Sequence, residues 1–172
     1  MEDQLDTNQE VLEKKGILST SKFLFLSIIT FGLYPIWWIY KSWCTFRDRE
    51  DFKINPALRT IFSIFYLYGL FVRIRRLANK YVYDKTFSPI LLFGMIIILE
   101  GLSYLPSPFF LISLLSIFCF TPPFEALNYS IISCQDYEVV EQQGYTTEQV
   151  IAIVLGSILW FLIITGLFLV EG

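Results

Sequence analysis

Few residues in this chain have types and spacing that could do chemistry, and Glu100 stands out among them. It is the one ionisable side chain in the apolar run 89–105. A carboxylate in that setting points to a proton relay or an ion pair. It also lies four to six residues before Tyr104–Pro106, which suits a side chain that reaches water at a membrane interface. Gly32 and Pro35 interrupt the first apolar segment, and broken helices line ion sites in membrane transporters. Tyr34, Trp38 and Lys41 follow at the aromatic, basic end of that segment. Asn128, just past Pro122-Pro123, has the side chain to cap a broken backbone, a structural role that competes with simple solvent exposure.

Most familiar catalytic arrangements are missing. The sequence contains no His, so Cys44, Cys119, Cys134 and the serines lack the commonest general base. The three cysteines are not at C-x-x-C spacing and read as small buried apolar residues, so no disulfide framework and no metal site is expected. Gly94, Gly101, Gly156 and Gly166 sit in apolar helical sequence rather than in a phosphate-binding loop after a strand. The expectation is a protein that is not an enzyme and uses no cofactor.

The elements that must position these residues belong in a bilayer. Hydrophobic residues make up 55% of the chain and mean hydropathy is +0.56, above a usual apolar share of about 45–50%. Residues 23–40, 101–124 and 149–170 carry no charge at all. Roughly 20 such residues cross about 30 Å of hydrocarbon as a helix. The fold class expected is all-α: a polytopic helical membrane protein with short broken or re-entrant N-terminal helices, amphipathic interfacial helices and about three to four transmembrane spans.

Along the chain, 1–20 reads as a disordered polar tail and 21–172 as one helical membrane domain. Residues 22–41 form a re-entrant hairpin or broken span, with Tyr34, Trp37, Trp38, Tyr40 and Trp43 as an interfacial belt. Residues 57–80 read as a basic interfacial helix, the 13 apolar residues 60–72 being short for a crossing. A helical hairpin is expected over 89–121, with Pro122-Pro123 ending its second arm. An acidic amphipathic helix follows over 123–143. Residues 148–170 are the least ambiguous span, with Thr146 or Thr147 capping it and Gly156 and Ser157 offering a close-packing surface.

Charge orients the whole. Residues 1–85 carry 13 basic against 9 acidic residues, and residues 86–172 carry 7 acidic and no basic ones. The positive-inside rule then favours a three-span arrangement with the N-terminus, Cys44 and Cys134 cytoplasmic and Gly172 outside. Glu125, Asp136, Glu138, Glu141 and Glu148 would lie beside Arg47, Arg49, Arg73, Arg75 and Arg76. The implied partners are the lipid bilayer, anionic lipid at the basic 41–85 segment, and a second copy or another membrane protein. A nucleic-acid partner is not expected, because the basic residues punctuate apolar segments.

The run Thr30-FGLYPIWWIYKSW-Trp43, with Ser21-Lys22-Phe23 and Leu26-Ser27 before it, resembles the opening of a family of bacterial integral membrane proteins of unknown activity. Their signature reads T-F-G-x-Y-x-x-x-W-x-Y-K. The likeness continues through 59–74, Leu127-Asn128 and 153–162. It departs at 124–143, which is basic and Asn-rich in that family and acidic here, and at Thr147-Glu148-Gln149. The resemblance implies a bacterial inner-membrane location and no substrate. The functional expectation is a non-enzymatic scaffold or accessory subunit. The alternative is a small oligomeric channel or transporter using Glu100 and the broken first helix.

Overall fold

The computed structural model describes residues 13–50, 54–106, 109–134 and 137–170, with backbone alone at 13–15, 50, 137–139, 141 and 168–170. In it the first apolar segment folds as two helices, α1 (Thr20–Ile29) and α2 (Leu33–Glu50). Three residues, Thr30, Phe31 and Gly32, join them. Phe31 and Gly32 both take left-handed backbone conformations, with φ of 52° and 83°. The Phe31 N–H donates to the Ile28 carbonyl (3.0 Å) and the Gly32 N–H to that of Ser27 (2.8 Å). That is the Schellman closure of a helix end, with a phenylalanine at the left-handed position that glycine usually fills. Thr30 serves both helices, because its hydroxyl oxygen also accepts from the Tyr34 N–H at 3.0 Å. Pro35 costs nothing at the third position of α2, where a backbone N–H has no intrahelical partner anyway.

The turn makes a direct prediction. Gly32 must keep a φ that a β-branched residue tolerates poorly, although nothing stands within 4 Å of its missing side chain. Gly32→Val should lower thermal stability in detergent by about 1–3 kcal/mol. Gly94→Val, in open helix with nothing within 4 Å, should be near neutral. Equal tolerance at the two positions would show that the turn is not held left-handed.

The chain then forms α3 (Pro56–Ile61), α4 (Ser63–Lys80) and α5 (Pro89–Gly101). Two 3-10 turns follow, Leu102–Tyr104 and Phe109–Leu115, leading into α6 (Ser116–Cys119) and α7 (Thr121–Ser133). The last helix is α8 (Thr147–Val170). Strands β1 (Glu13–Ile17) and β2 (Tyr137–Glu141) pair in parallel, Glu13 opposite Tyr137 and Ile17 opposite Glu141.

Four boundaries differ from the sequence expectation. Of the polar tail placed over 1–20, residues 1–12 lie outside the described residues, 13–17 are strand and helix begins at Thr20. β1 exists through its pairing with β2, which no local pattern announces. The acidic helix expected over 123–143 stops at Ser133, and 137–141 is the partner strand. The single helix over 57–80 is broken at Phe62 into α3 and α4. Pro122-Pro123 do not end the second arm of the 89–121 hairpin, and helix continues over Phe109–Ser133. Tight i→i+3 bonding at Phe120 puts both prolines in the first turn of α7, where no donor is needed.

Aromatic rings hold these pieces together. Phe23, wholly buried, stacks on Phe124 at 4.2 Å and meets the edges of Tyr34 and Trp38. Phe120 meets Trp38 at 6.2 Å and Phe71 at 5.9 Å. Leu67, Leu70, Phe71, Ile74 and Ala78 give α4 one apolar stripe at helical spacing, packed against α7.

Both ends of the α1–α2 hairpin lie beside the start of α8. Lys22 Nζ donates to the carbonyls of Gln142 and Gln143 (2.7 Å for the latter), and Lys41 lines one cavity with Gln142 and Thr146. The hairpin tip meets α8 at Gly156 and Trp160, whose indole N–H donates to the Ile28 carbonyl at 3.0 Å. At 1.5 Å per residue, Trp160 lies about 20 Å beyond Thr147 along the axis. The ring of Phe31, at that tip, packs between Phe110 and Trp160, which keeps its left-handed backbone in place.

Several charged side chains find partners. Lys85 Nζ lies 3.2 Å from Glu125, Arg47 pairs with its neighbour Asp48, and Arg49 donates to the Tyr81 hydroxyl. Burial and then the Glu125 carboxylate push the Tyr83 phenol upward from its usual range. Of the acidic set expected to face the arginines, Glu125 pairs instead with Lys85, Asp136 is outside the described residues, and only the backbone is described at Glu138 and Glu141. Large apolar side chains stay exposed along α8, among them Leu155, Phe161 and Leu162. Two helices, Phe109–Ser133 and Thr147–Leu167, are long and apolar enough to cross a membrane.

Candidate functional site

The groove between the first hairpin and α8 is built by two local devices. One is the Thr30–Pro35 turn, which aims Tyr34 and Trp37 outward from the first turns of α2. The other is a capping box at the start of α8: the Gln149 N–H donates to the Thr146 hydroxyl (3.3 Å), and the Thr146 N–H donates to Gln149 Oε1 (3.0 Å). The sequence Thr146-x-x-Gln149 folds this way because it satisfies two free donors of the helix end at once.

Gln149 then does more than cap. It is buried, and its amide nitrogen donates to the Tyr34 hydroxyl at 3.1 Å. Its oxygen also accepts from Gln142 Nε2 at 2.6 Å. A buried amide costs free energy unless its partners are in place, so this network ties α2, the β2–α8 loop and α8 into one arrangement.

Two cavities meet at the network. The first, about 610 Å³, lies between the hairpin tip and α8 and is walled by Leu33, Ala152, Leu155 and Leu159. The second, about 580 Å³, is mixed: Lys41, Asp48, Asn128, Gln142 and Thr146 line it together with Trp38, Phe124 and Leu127. Tyr34, Trp37, Glu148 and Gln149 line both. The first cavity therefore has hydrocarbon walls, and its neighbour adds charge and hydrogen-bonding groups.

The ionised groups of the second cavity differ in how they are held. Asp48 is already paired with Arg47 at 2.9 Å. Lys41 Nζ lies over the Trp37 ring at 4.8 Å and has no carboxylate partner among the described residues. Glu148 has no hydrogen-bond or ion-pair partner among them either, and sits in the first turn of α8, where a helix dipole favours negative charge.

Of the six residues singled out in the sequence, four line the second cavity: Tyr34, Trp38, Lys41 and Asn128. Asn128 also donates to the Leu18 carbonyl at 3.0 Å, fastening the segment that leads into α1. Gly32 shapes the turn behind the cavity without lining it. Glu100 lies apart: it is exposed, its Oε1 accepts from the Ser116 hydroxyl at 2.6 Å, and it lines neither of these two cavities. Sequence reasoning gave Trp37, Glu148 and Gln149 no place in a site. The signal for Gln149 was present as an amide three residues after a helix-capping threonine, at the head of an apolar run. No group of three or more His, Cys, Asp or Glu that could hold a metal occurs among the described residues.

Comparison of the chain with family models, with curated proteins and with solved structures returns no match.

Proposed function

We infer that this is a non-enzymatic integral membrane protein that holds an amphiphilic molecule drawn from the bilayer, as an accessory or scaffold component. The observation that carries this reading is that an apolar cavity and one with charged and polar groups share Tyr34, Trp37, Glu148 and Gln149 as walls. A ligand with a hydrocarbon tail and a polar head matches that division, and pockets of several hundred Å³ suit small ligands. The same reading has the hairpin dip into the membrane and return. The α5 arm and the Phe109–Ser133 helix then cross and come back, and α8 leaves to the other side.

Orientation in this proposal follows the basic residues. Lys22, Lys41 and Lys85 sit near the bases of the hairpins, so that end faces the cytoplasm, in keeping with the positive-inside rule. A bacterial inner membrane and the family that the Thr30–Lys41 signature resembles belong to the same proposal. The channel alternative needs Glu100 and the broken helix in one path. Their separation, with Glu100 held on Ser116, gives it less support.

The test is retention of lipid after purification. The protein should keep on the order of one phospholipid per chain through detergent exchange. Ala152→Phe, which fills the apolar cavity, should remove it, while Leu162→Trp on the free part of α8 should not. Equal phosphate content in all three, or none in the unmodified protein, would reject a lipid-holding role.

A further inference from the structure

The second cavity carries a cation and an anion that have no charged partners among the described residues. Among the described residues Lys41 has the Trp37 ring at 4.8 Å and no carboxylate, and Glu148 has no polar partner. Both line the cavity that contains the Tyr34 and Gln149 side chains. We propose that the head it accepts is zwitterionic: a phosphodiester against Lys41 and a primary ammonium against Glu148. This rests on the lipid-holding reading and names its substrate class.

Two rival heads fit less well. A purely anionic head would gain Lys41 but meet the Glu148 carboxylate, a like charge that lowers its occupancy. A quaternary ammonium needs free aromatic faces around it. Of the two rings that line both cavities, Trp37 is already engaged by Lys41 and stacked on Tyr40 at 5.7 Å, and Tyr34 meets Phe23 at 6.0 Å. A primary ammonium instead needs oxygen acceptors. Glu148 supplies a carboxylate, and the Thr146 hydroxyl lies on the same wall. The phosphate end finds the Lys41 ammonium and the Tyr34 hydroxyl, whose proton is not committed to the Gln149 bond because Tyr34 is the acceptor there.

The experiment is native mass spectrometry of the full chain, exposed to an equimolar mixture of phosphatidylethanolamine, phosphatidylglycerol, phosphatidylcholine and diacylglycerol with identical acyl chains. The unmodified protein should retain the ethanolamine lipid about tenfold over the glycerol and choline lipids, the worth of one charge-assisted hydrogen bond. Glu148→Gln should reduce that preference to about twofold or less. Lys41→Gln should lower all three phospholipids about tenfold while leaving diacylglycerol unchanged. Both residues are exposed, so circular dichroism of the variants should match the parent. Lipid retained with no head preference, or a preference unmoved by Glu148→Gln, would overturn the zwitterion assignment and leave the lipid site standing. An equal fall of diacylglycerol in Lys41→Gln would overturn the phosphate role. No lipid of any kind retained would defeat the lipid-holding function itself.

Discussion

Gly156→Leu is expected to detach α8 from the first hairpin. A β-carbon at this position would stand 2.7 Å from the Ile29 carbonyl carbon and closer still to its oxygen. Both are backbone atoms at the end of α1, so no side chain can swing aside to make room. Overpacking of a core typically costs about 1–3 kcal/mol, and a clash with backbone belongs at or beyond the top of that range. In lipid, helices associate through close packing rather than water exclusion, so removing a small-residue contact has little to offset it. The indole bond from Trp160 to Ile28 and the apolar cavity should go with it. Thermal unfolding in detergent, followed by tryptophan fluorescence, should show a drop of roughly 5 °C or more. Gly166→Leu, with nothing within 4 Å, should shift the midpoint by less than about 0.5 kcal/mol. Indistinguishable midpoints would mean that α8 does not rest on α1 at Gly156.

Phe23→Ala should cost about 3 kcal/mol, near the low end of the range for emptying an aromatic core site. Phe23 is fully buried and is the ring that Tyr34, Trp38 and Phe124 share. Aromatic pairs contribute about 0.5–1.5 kcal/mol each beyond area burial, and all three pairs vanish together. Detergent relieves part of the transfer cost, but it does not restore the dispersion attraction forfeited around the void. Because Tyr34 leans on Phe23, lipid retention should fall with stability. Phe161→Ala, at an exposed position of α8, should change neither. A stability loss in Phe23→Ala no larger than that of Phe161→Ala would contradict the placement of this core.

What the sequence determined by itself is the chemistry of the segments. Long uncharged runs at 101–124 and 149–170 pointed to helix, and the structure is helical over Phe109–Ser133 and Thr147–Val170. Gly32 and Pro35 were legible as a break because glycine and proline act on the backbone locally, through φ and a missing donor. The Thr146 cap was legible for the same reason. Tyr34, Trp38, Lys41 and Asn128 stood out singly, by type and by family-like spacing, without anything to say that they meet.

Only the tertiary structure decided the rest, because it depends on partners distant in the chain. β1 needs β2 from more than a hundred residues away, and no pattern within Glu13–Ile17 reveals a parallel pairing. Pro122 and Pro123 looked like terminators, yet tight bonding at Phe120 gave them first-turn positions where they are harmless. Glu100 attracted attention for being charged among apolar residues, and a serine sixteen residues on answers for it. Gln149, unremarkable in one dimension, became the centre of the site because the hairpin brings Tyr34 to its amide. Local rules govern single residues at turns and helix ends; a cavity is made by several elements at once, so it existed only when α2 and α8 had packed.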